Sequence, residues 1–190
     1  MANSKRTFVA LKILPSTALL EAYRKIKFIL EEEKIKWVEE NNLHVTLTFL
    51  GDTPDELINP VIKSLQEVVF AIEPVSLKIA GTGVFKSINK PKVIWMGTET
   101  DEKLLATKME IDQKLRSLGF GIEKREFKPH LTLGRIRFIK HKDKLREVME
   151  EFQAAFFMKQ VFGNIEYLES TLTPSGPKYN TIKKIQFGNM

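Results

Sequence analysis

The sequence contains no cysteine. A disulfide framework, a zinc ribbon, a thiol nucleophile and an iron–sulfur cluster are excluded together. No stretch of about 18 apolar residues occurs, so no membrane-spanning helix is expected. Met1 to Leu11 carries Lys5 and Arg6 without a long apolar run behind them, which speaks against a secretory signal and for a soluble, cytoplasmic protein. Common nucleotide and hydrolase signatures are missing as well. There is no Walker A run, no G-x-G-x-x-G, no G-x-S-x-G elbow and no H-E-x-x-H. Without cysteine or a closely spaced histidine–carboxylate pair, no metal site and no cofactor are expected.

What remains is an ordinary globular composition. The chain has 190 residues, of which 43% are hydrophobic and 28% charged, which argues against disorder. Its length suits one domain, or two lobes sharing a core. Lysine and arginine exceed the acids to leave a net charge of +6, with a pI near 9.4. That surplus favours polyanionic partners without saying which.

The hydrophobic pattern mixes strands and helices. Thr7 to Leu14 reads as a strand ended by Pro15, and Ser16 as the cap of a helix reaching about Lys34. Lys36 to Val38 and Leu43 to Leu50 read as strands. Thr53-Pro54-Asp55-Glu56 has the form of a capping box opening a helix to about Phe70. A strand from Val75 to Ala80 should end at the Gly81-Thr82-Gly83 corner, with another from Val93 to Met96. A helix from about Asp101 to Leu118 should be closed by Gly119. The second half offers a strand from His130 to about Ile139, a helix from about Lys142 to Phe152, and a tail of strands broken at Gly163 and Pro174-Ser175-Gly176. Strict strand–helix alternation is lacking, so the expected class is α+β with antiparallel sheet. No linker divides the chain. Residues 1–190 are expected to form a single domain of two intertwined lobes.

The chain carries only three histidines, and two of them share a pattern. His44-Val45-Thr46-Leu47 is echoed by His130-Leu131-Thr132-Leu133, each inside a predicted strand. A period of two puts His44, Thr46 and Thr48 on one face, with Val45, Leu47 and Phe49 on the other, so Phe49 reads as core. His130 and Thr132 likewise share a face. Two such strands paired about a pseudo-two-fold axis bring both imidazoles to one cleft. Imidazoles titrating near pH 6.5 can divide acid and base roles at neutral pH. Threonine hydroxyls two residues along can donate to anionic oxygens. This arrangement fits in-line attack on a phosphodiester. His141, between Lys140 and Lys142, reads as an exposed basic residue at a strand-to-helix junction.

At these residues the sequence resembles the 2H phosphoesterases, and more closely the RNA 2′,3′-cyclic phosphodiesterase branch, long called 2′-5′ RNA ligase. The likeness covers nearly the whole chain. It runs through Arg6-Thr7-Phe8-Val9-Ala10-Leu11, Trp37-Val38, Asn42 to Gly51, Gly83-Val84-Phe85, Pro91 to Trp95 and Phe127 to Arg135. It closes on Ser170-Thr171-Leu172, Pro174-Ser175-Gly176 and Tyr179. The resemblance implies a bilobal fold with two antiparallel sheets facing a central cleft and helices outside. It also implies metal-independent hydrolysis of RNA 2′,3′-cyclic phosphate ends to 2′-phosphates. On this chain it implies His44 as general acid, His130 as general base, and Thr46 and Thr132 as holders of the non-bridging oxygens. Pseudo-symmetry leaves the acid and base assignments interchangeable from sequence. A 5′-hydroxyl in place of water would form a 2′-5′ linkage.

Arg135 offers a fork for phosphate, and Tyr179 a ring or hydroxyl for a nucleoside. Strict alternation places Arg135 opposite His130, so it reaches the cleft only through a bulge or strand end. Two alternatives use the same residues: a phosphodiesterase of small cyclic nucleotides such as the cyclic phosphate of ADP-ribose, and a non-catalytic RNA-binding module. A monomer is the expected state, with RNA ends as partner.

Overall fold

The computed structural model describes residues 3–122, 126–173 and 176–188. In chain order the elements are β1 (Ser4–Lys12), α1 (Thr17–Ile29), β2 (Lys34–Trp37), a 3₁₀ turn (Glu40–Asn42), β3 (His44–Pro54), α2 (Asp55–Phe70), β4 (Val75–Phe85), β5 (Val93–Thr100), α3 (Glu102–Ser117), β6 (His130–Phe138), α4 (Lys142–Phe152), β7 (Phe156–Phe162), β8 (Asn164–Thr173) and β9 (Gly176–Gln186). Every strand pairing is antiparallel. The order is β7-β4-β5-β6-β3-β1-β8-β9, with β2 added to β6. The two expected sheets are halves of one curled sheet, β7-β4-β5-β6 and β3-β1-β8-β9. They meet where Val45 of β3 lies opposite Leu131 of β6.

Alternation decides which face is buried. Val9, Leu11, Val45, Leu47, Ile94, Met96, Leu131 and Leu133 form a buried row across the central strands. Against it pack Leu19, Tyr23 and Ile26 of α1, Val61 and Leu65 of α2, Leu104 and Ile111 of α3, and Leu145 and Val148 of α4. The helices therefore cover one face and leave the polar face free for the cleft. No described helix is long and apolar enough to cross a membrane.

Several local expectations hold. The Ser16 hydroxyl oxygen accepts the Leu19 N–H at 3.2 Å and caps α1, while the Asp101 carboxylate caps α3 through the Leu104 N–H at 2.9 Å. Gly119 ends α3 with φ +91°, a conformation glycine adopts without steric cost.

Others are corrected. Helix α1 stops at Ile29 rather than near Lys34, because the buried Glu33 is drawn away to the start of α4. Thr53 is no cap: it lies buried in β3, its hydroxyl 2.7 Å from that of Thr7. Helix α2 opens after Pro54 without a side-chain cap, and Asp55 and Glu56 suit its first turn by charge. Gly81 to Gly83 is no corner, since β4 continues through it with a register shift. Gly81 sits at φ +69°, and a Cβ there would meet the Gln153 carbonyl oxygen at 2.7 Å. Pro174 and Ser175 of the C-terminal signature lie outside the described residues.

Candidate active site

His44 opens β3 and His130 opens β6, each one residue before the Val45–Leu131 pair that joins the halves. Their surroundings repeat. His44 Nδ1 lies 2.6 Å from the Asn42 carbonyl oxygen, and His130 Nδ1 lies 2.8 Å from that of Lys128. A carbonyl only accepts, so each Nδ1 carries the proton and each neutral ring keeps its lone pair on Nε2. Among the described residues neither Nε2 has a protein hydrogen-bond partner. Both imidazoles are thus held in one tautomer with the reactive nitrogen free.

The hydroxyls sort in the same way. Thr7, Thr48, Thr53, Thr98, Thr107 and Thr181 all spend theirs on protein partners. Thr46 and Thr132, half-buried on the cleft face, have no such partner among the described residues. Each can donate to a bound oxygen.

A shared irregularity shapes both strands. Beside β3, Ala10 pairs with Thr46 but Val9 pairs with Thr48, so Leu47 is skipped. Beside β6, Trp95 pairs with Thr132 but Ile94 pairs with Gly134, so Leu133 is skipped. Each bulge reverses the side on which later residues emerge. In β6 it brings Arg135 round to the face of His130 and Thr132, and the side chain is exposed there. In β3 it overturns the strict alternation expected beyond Thr46. Thr48 is turned into the interior, where its hydroxyl donates to the buried Asp112 carboxylate at 2.7 Å. Phe49, expected in the core, is 61% exposed beside Phe8, with ring centroids 5.9 Å apart. Phe49 and Arg135 are therefore counterparts in the two halves.

The rest of the site breaks the symmetry. Tyr179 meets the His44 ring edge-on at 5.1 Å and the Phe8 ring at 5.1 Å. Beside His130 stands Phe85 instead, edge-on at 4.6 Å, backed by Trp95 at 5.5 Å. Gly83 keeps this wall flat, because a Cβ there would lie 2.3 Å from the indole. Lys12, whose register partner is His44, donates to the Asn41 carbonyl, whereas His130 faces Gly97. A recess of about 50 Å³ lies beside His44, lined by Lys12, Asn42, Glu166, Tyr179 and Thr181 among others.

Burial pushes the His44 imidazole below its ordinary range. The bond to Asn42 opposes this, while the charges of Lys12, His130 and Arg135 add to it. His130 is lowered too, first by burial and then by Arg135, against the bond to Lys128. Burial raises the Tyr179 phenol, with Arg135 and Arg6 opposing. Arg135 thus acts on both histidines and the tyrosine, and Thr46 and Thr132 lie two residues beyond the histidines on the same strands. Phe8, Lys12, Phe49 and Phe85 were not singled out as site residues. The doubled His-x-Thr pattern is the signal that leads to Phe49, five residues on as Arg135 is from His130. His141 is elsewhere, at the start of α4, where its Nδ1–H donates to Glu33 at 3.0 Å. Among the described residues no cluster of three or more histidines and carboxylates could hold a metal ion.

Two like halves, each presenting one imidazole and one free hydroxyl to a shared cleft, define a pseudo-symmetric two-histidine protein. Comparison with known proteins agrees with that duplication. The family model described as LigT like Phosphoesterase matches twice, over residues 13–95 and 97–179, and the chain belongs to this family. It is 36% identical to an RNA 2′,3′-cyclic phosphodiesterase of Methanocaldococcus jannaschii, over 94% of this chain and 99% of that one. It is 31% identical to the protein of the same name in Archaeoglobus fulgidus, over 94% and 98%. Among solved structures, a protein of Thermus thermophilus superposes with a TM-score of 0.79 at 22% identity, covering 97% of this chain and all of that one. Escherichia coli LigT, solved with 3′-AMP, gives 0.74 at 18% identity, covering 98% of this chain and all of that one. These likenesses bear out the bilobal α+β fold.

Proposed function

We propose that this chain hydrolyses RNA ends bearing a 2′,3′-cyclic phosphate to 2′-phosphates, without metal, and that one bilobal unit holds the whole site. The observation that carries the reading is the pair of free Nε2 atoms, fixed by matching Nδ1–carbonyl bonds beside two unengaged threonine hydroxyls. The curated relatives of the same name lend the substrate class.

In this mechanism His130 Nε2 takes a proton from water, and the water oxygen attacks phosphorus in line with the P–O3′ bond. As that bond breaks, protonated His44 gives its Nε2 proton to the departing 3′ oxygen. Thr46 and Thr132 donate to the non-bridging oxygens, and Arg135 offsets the growing charge. Tyr179 flanks the nucleoside beside His44. With a 5′-hydroxyl in place of water, the same steps form the P–O5′ bond of a 2′-5′ linkage as P–O3′ breaks, and run backwards they cleave that linkage to the cyclic phosphate. All groups come from one chain, so a monomer suffices.

The test is product analysis of an RNA oligonucleotide ending in 2′,3′-cyclic phosphate, with chelator present. Wild type should yield a 2′-phosphate terminus. His44→Ala and His130→Ala should each lower kcat by roughly 10²–10⁴-fold, the usual contribution of a general acid or base. Loss of wild-type turnover on adding chelator, or full activity in either variant, would refute the mechanism.

A further inference from the structure

Two long stretches of the sequence carry no acid: Pro74 to Thr98 and Phe127 to Lys142. The fold brings parts of both together at one end of the cleft. Strand β2 lies along the end of β6, with Lys36 opposite Arg135 and Lys34 opposite Phe138. The loop between β4 and β5 closes on the same edge, where the Ile136 N–H donates to the Lys92 carbonyl at 2.8 Å. That loop turns at Lys86, the one non-glycine residue with positive φ among those described, at 74°.

The result is a ridge of Lys34, Lys36, Lys86, Lys90, Lys92 and Arg137. All are exposed except the half-buried Lys36. Among the described residues none of the six is in an ion pair with a carboxylate. On the helices, Lys27, Lys63 and Lys142 are likewise without an ion pair among the described residues, but most cations are matched. There Arg24 pairs with Glu40, Lys25 with Glu151, Lys103 with Glu73, Lys114 with Glu67 and Lys144 with Glu32. Unmatched like charges repel one another, and a polyanion laid along them relieves that repulsion.

The ridge is continuous with the cleft. Arg135 pairs with both Lys36 and Val93, and its charge reaches His44 and His130. Lys34 and Lys36 are alternate residues of one strand, so they emerge on the same side roughly 6.6 Å apart. A chain of phosphates entering past Arg135 therefore meets further cations at every step away from the histidines.

We propose that this ridge is the track for the RNA backbone 5′ to the terminal cyclic phosphate, so that the protein favours oligonucleotides over mononucleotides. The proposal rests on the phosphodiesterase reading of the cleft.

The test compares kcat/KM for a ten-nucleotide RNA ending in 2′,3′-cyclic phosphate with that for 2′,3′-cyclic AMP, across a salt series. The triple variant Lys34→Gln/Lys36→Gln/Lys92→Gln is expected to lower the oligonucleotide-to-mononucleotide ratio at least about ten-fold. It should also flatten the log–log salt slope for the oligonucleotide by about 2, at roughly 0.7 per cation on a single strand. Lys90→Glu, on the exposed loop, should lower the ratio by itself, which guards against a folding defect in the triple variant. An unchanged ratio and slope in these variants would overturn the track, as would an equal fall in the control Lys25→Gln/Lys103→Gln/Lys114→Gln. Wild type that turns over the mononucleotide without length preference or salt dependence overturns the track alone. Wild type that turns over neither substrate removes the phosphodiesterase reading itself.

Discussion

Lys12 distinguishes His44 from His130. The strand partner of His44 is a lysine and that of His130 a glycine, so only one imidazole has an ammonium group in register beside it. Burial lowers both histidines, so under the proposed mechanism the free-enzyme optimum of kcat/KM is expected on the acid side of their ordinary value. A positive neighbour disfavours a second positive charge, so removing it favours imidazolium. Lys12→Gln is therefore expected to move the limb set by His44 to higher pH and to leave the other nearly in place. If His44 is the acid, the alkaline limb is the one that moves. A pH series of kcat/KM reads this directly, and movement of the acid limb instead would exchange the roles of the two histidines. The histidines and threonines are legible in the sequence because they recur. Phe49 and Thr48 are not, since each local pattern is compatible with an unbroken strand. The skipped residue appears only when β3 is aligned against β1, and it exchanges the sides of Thr48 and Phe49.

Among the elements, α4 depends most on a distant residue. Its expected start at Lys142 is correct, but no side chain of its own caps it. Glu33, from beyond α1, accepts the backbone N–H groups of Lys140 and His141 and the His141 ring N–H. Sequence reading extends α1 through Glu33 because the local propensities permit helix there. The tertiary demand of unpaired N–H groups at α4 ends it earlier. Burial pushes the Glu33 carboxyl up, yet the bonds from Lys140 and His141 outweigh it and leave the group below its usual range. A carboxyl lowered on folding contributes stability above its unfolded pKa, about 4.3. That contribution is lost as pH falls through the folded value. Glu33→Gln should cost about 1.5–3 kcal/mol at pH 7, the range for hydrogen bonds to a charged group. Urea unfolding of both proteins should show the gap narrowing below about pH 4.

For the whole molecule, the duplication explains the topology. Strand β1 corresponds to β5, β3 to β6 and, at the next position outward, β8 to β4. Yet β4 precedes β5 in sequence and pairs with it, while β8 arrives near the end of the chain to pair with β1. Each half of the sheet is completed by a strand from the other half of the sequence. The repeat shows in the sequence through its two motifs, but this exchange does not, because hydrophobic alternation specifies a strand without naming its neighbour. The two histidine-bearing strands pair with each other directly only at Val45 and Leu131, and the exchange is expected to hold the two histidines in a fixed relation. Residues 1–190 are accordingly expected to unfold in one transition, with the fluorescence of Trp37 and Trp95, both beside β6, changing at the same urea concentration as the circular dichroism of the whole chain. A chain ending at Gly163 would lack β8 and β9 and leave Phe8, Ala10 and Val9 without their covering strand, so it should fail to show that transition. Both tryptophans report on the β6 half of the sheet while circular dichroism reports on the whole, so a fluorescence midpoint separate from the circular dichroism midpoint would mean that the lobes fold independently and that the cleft is held by helix packing instead.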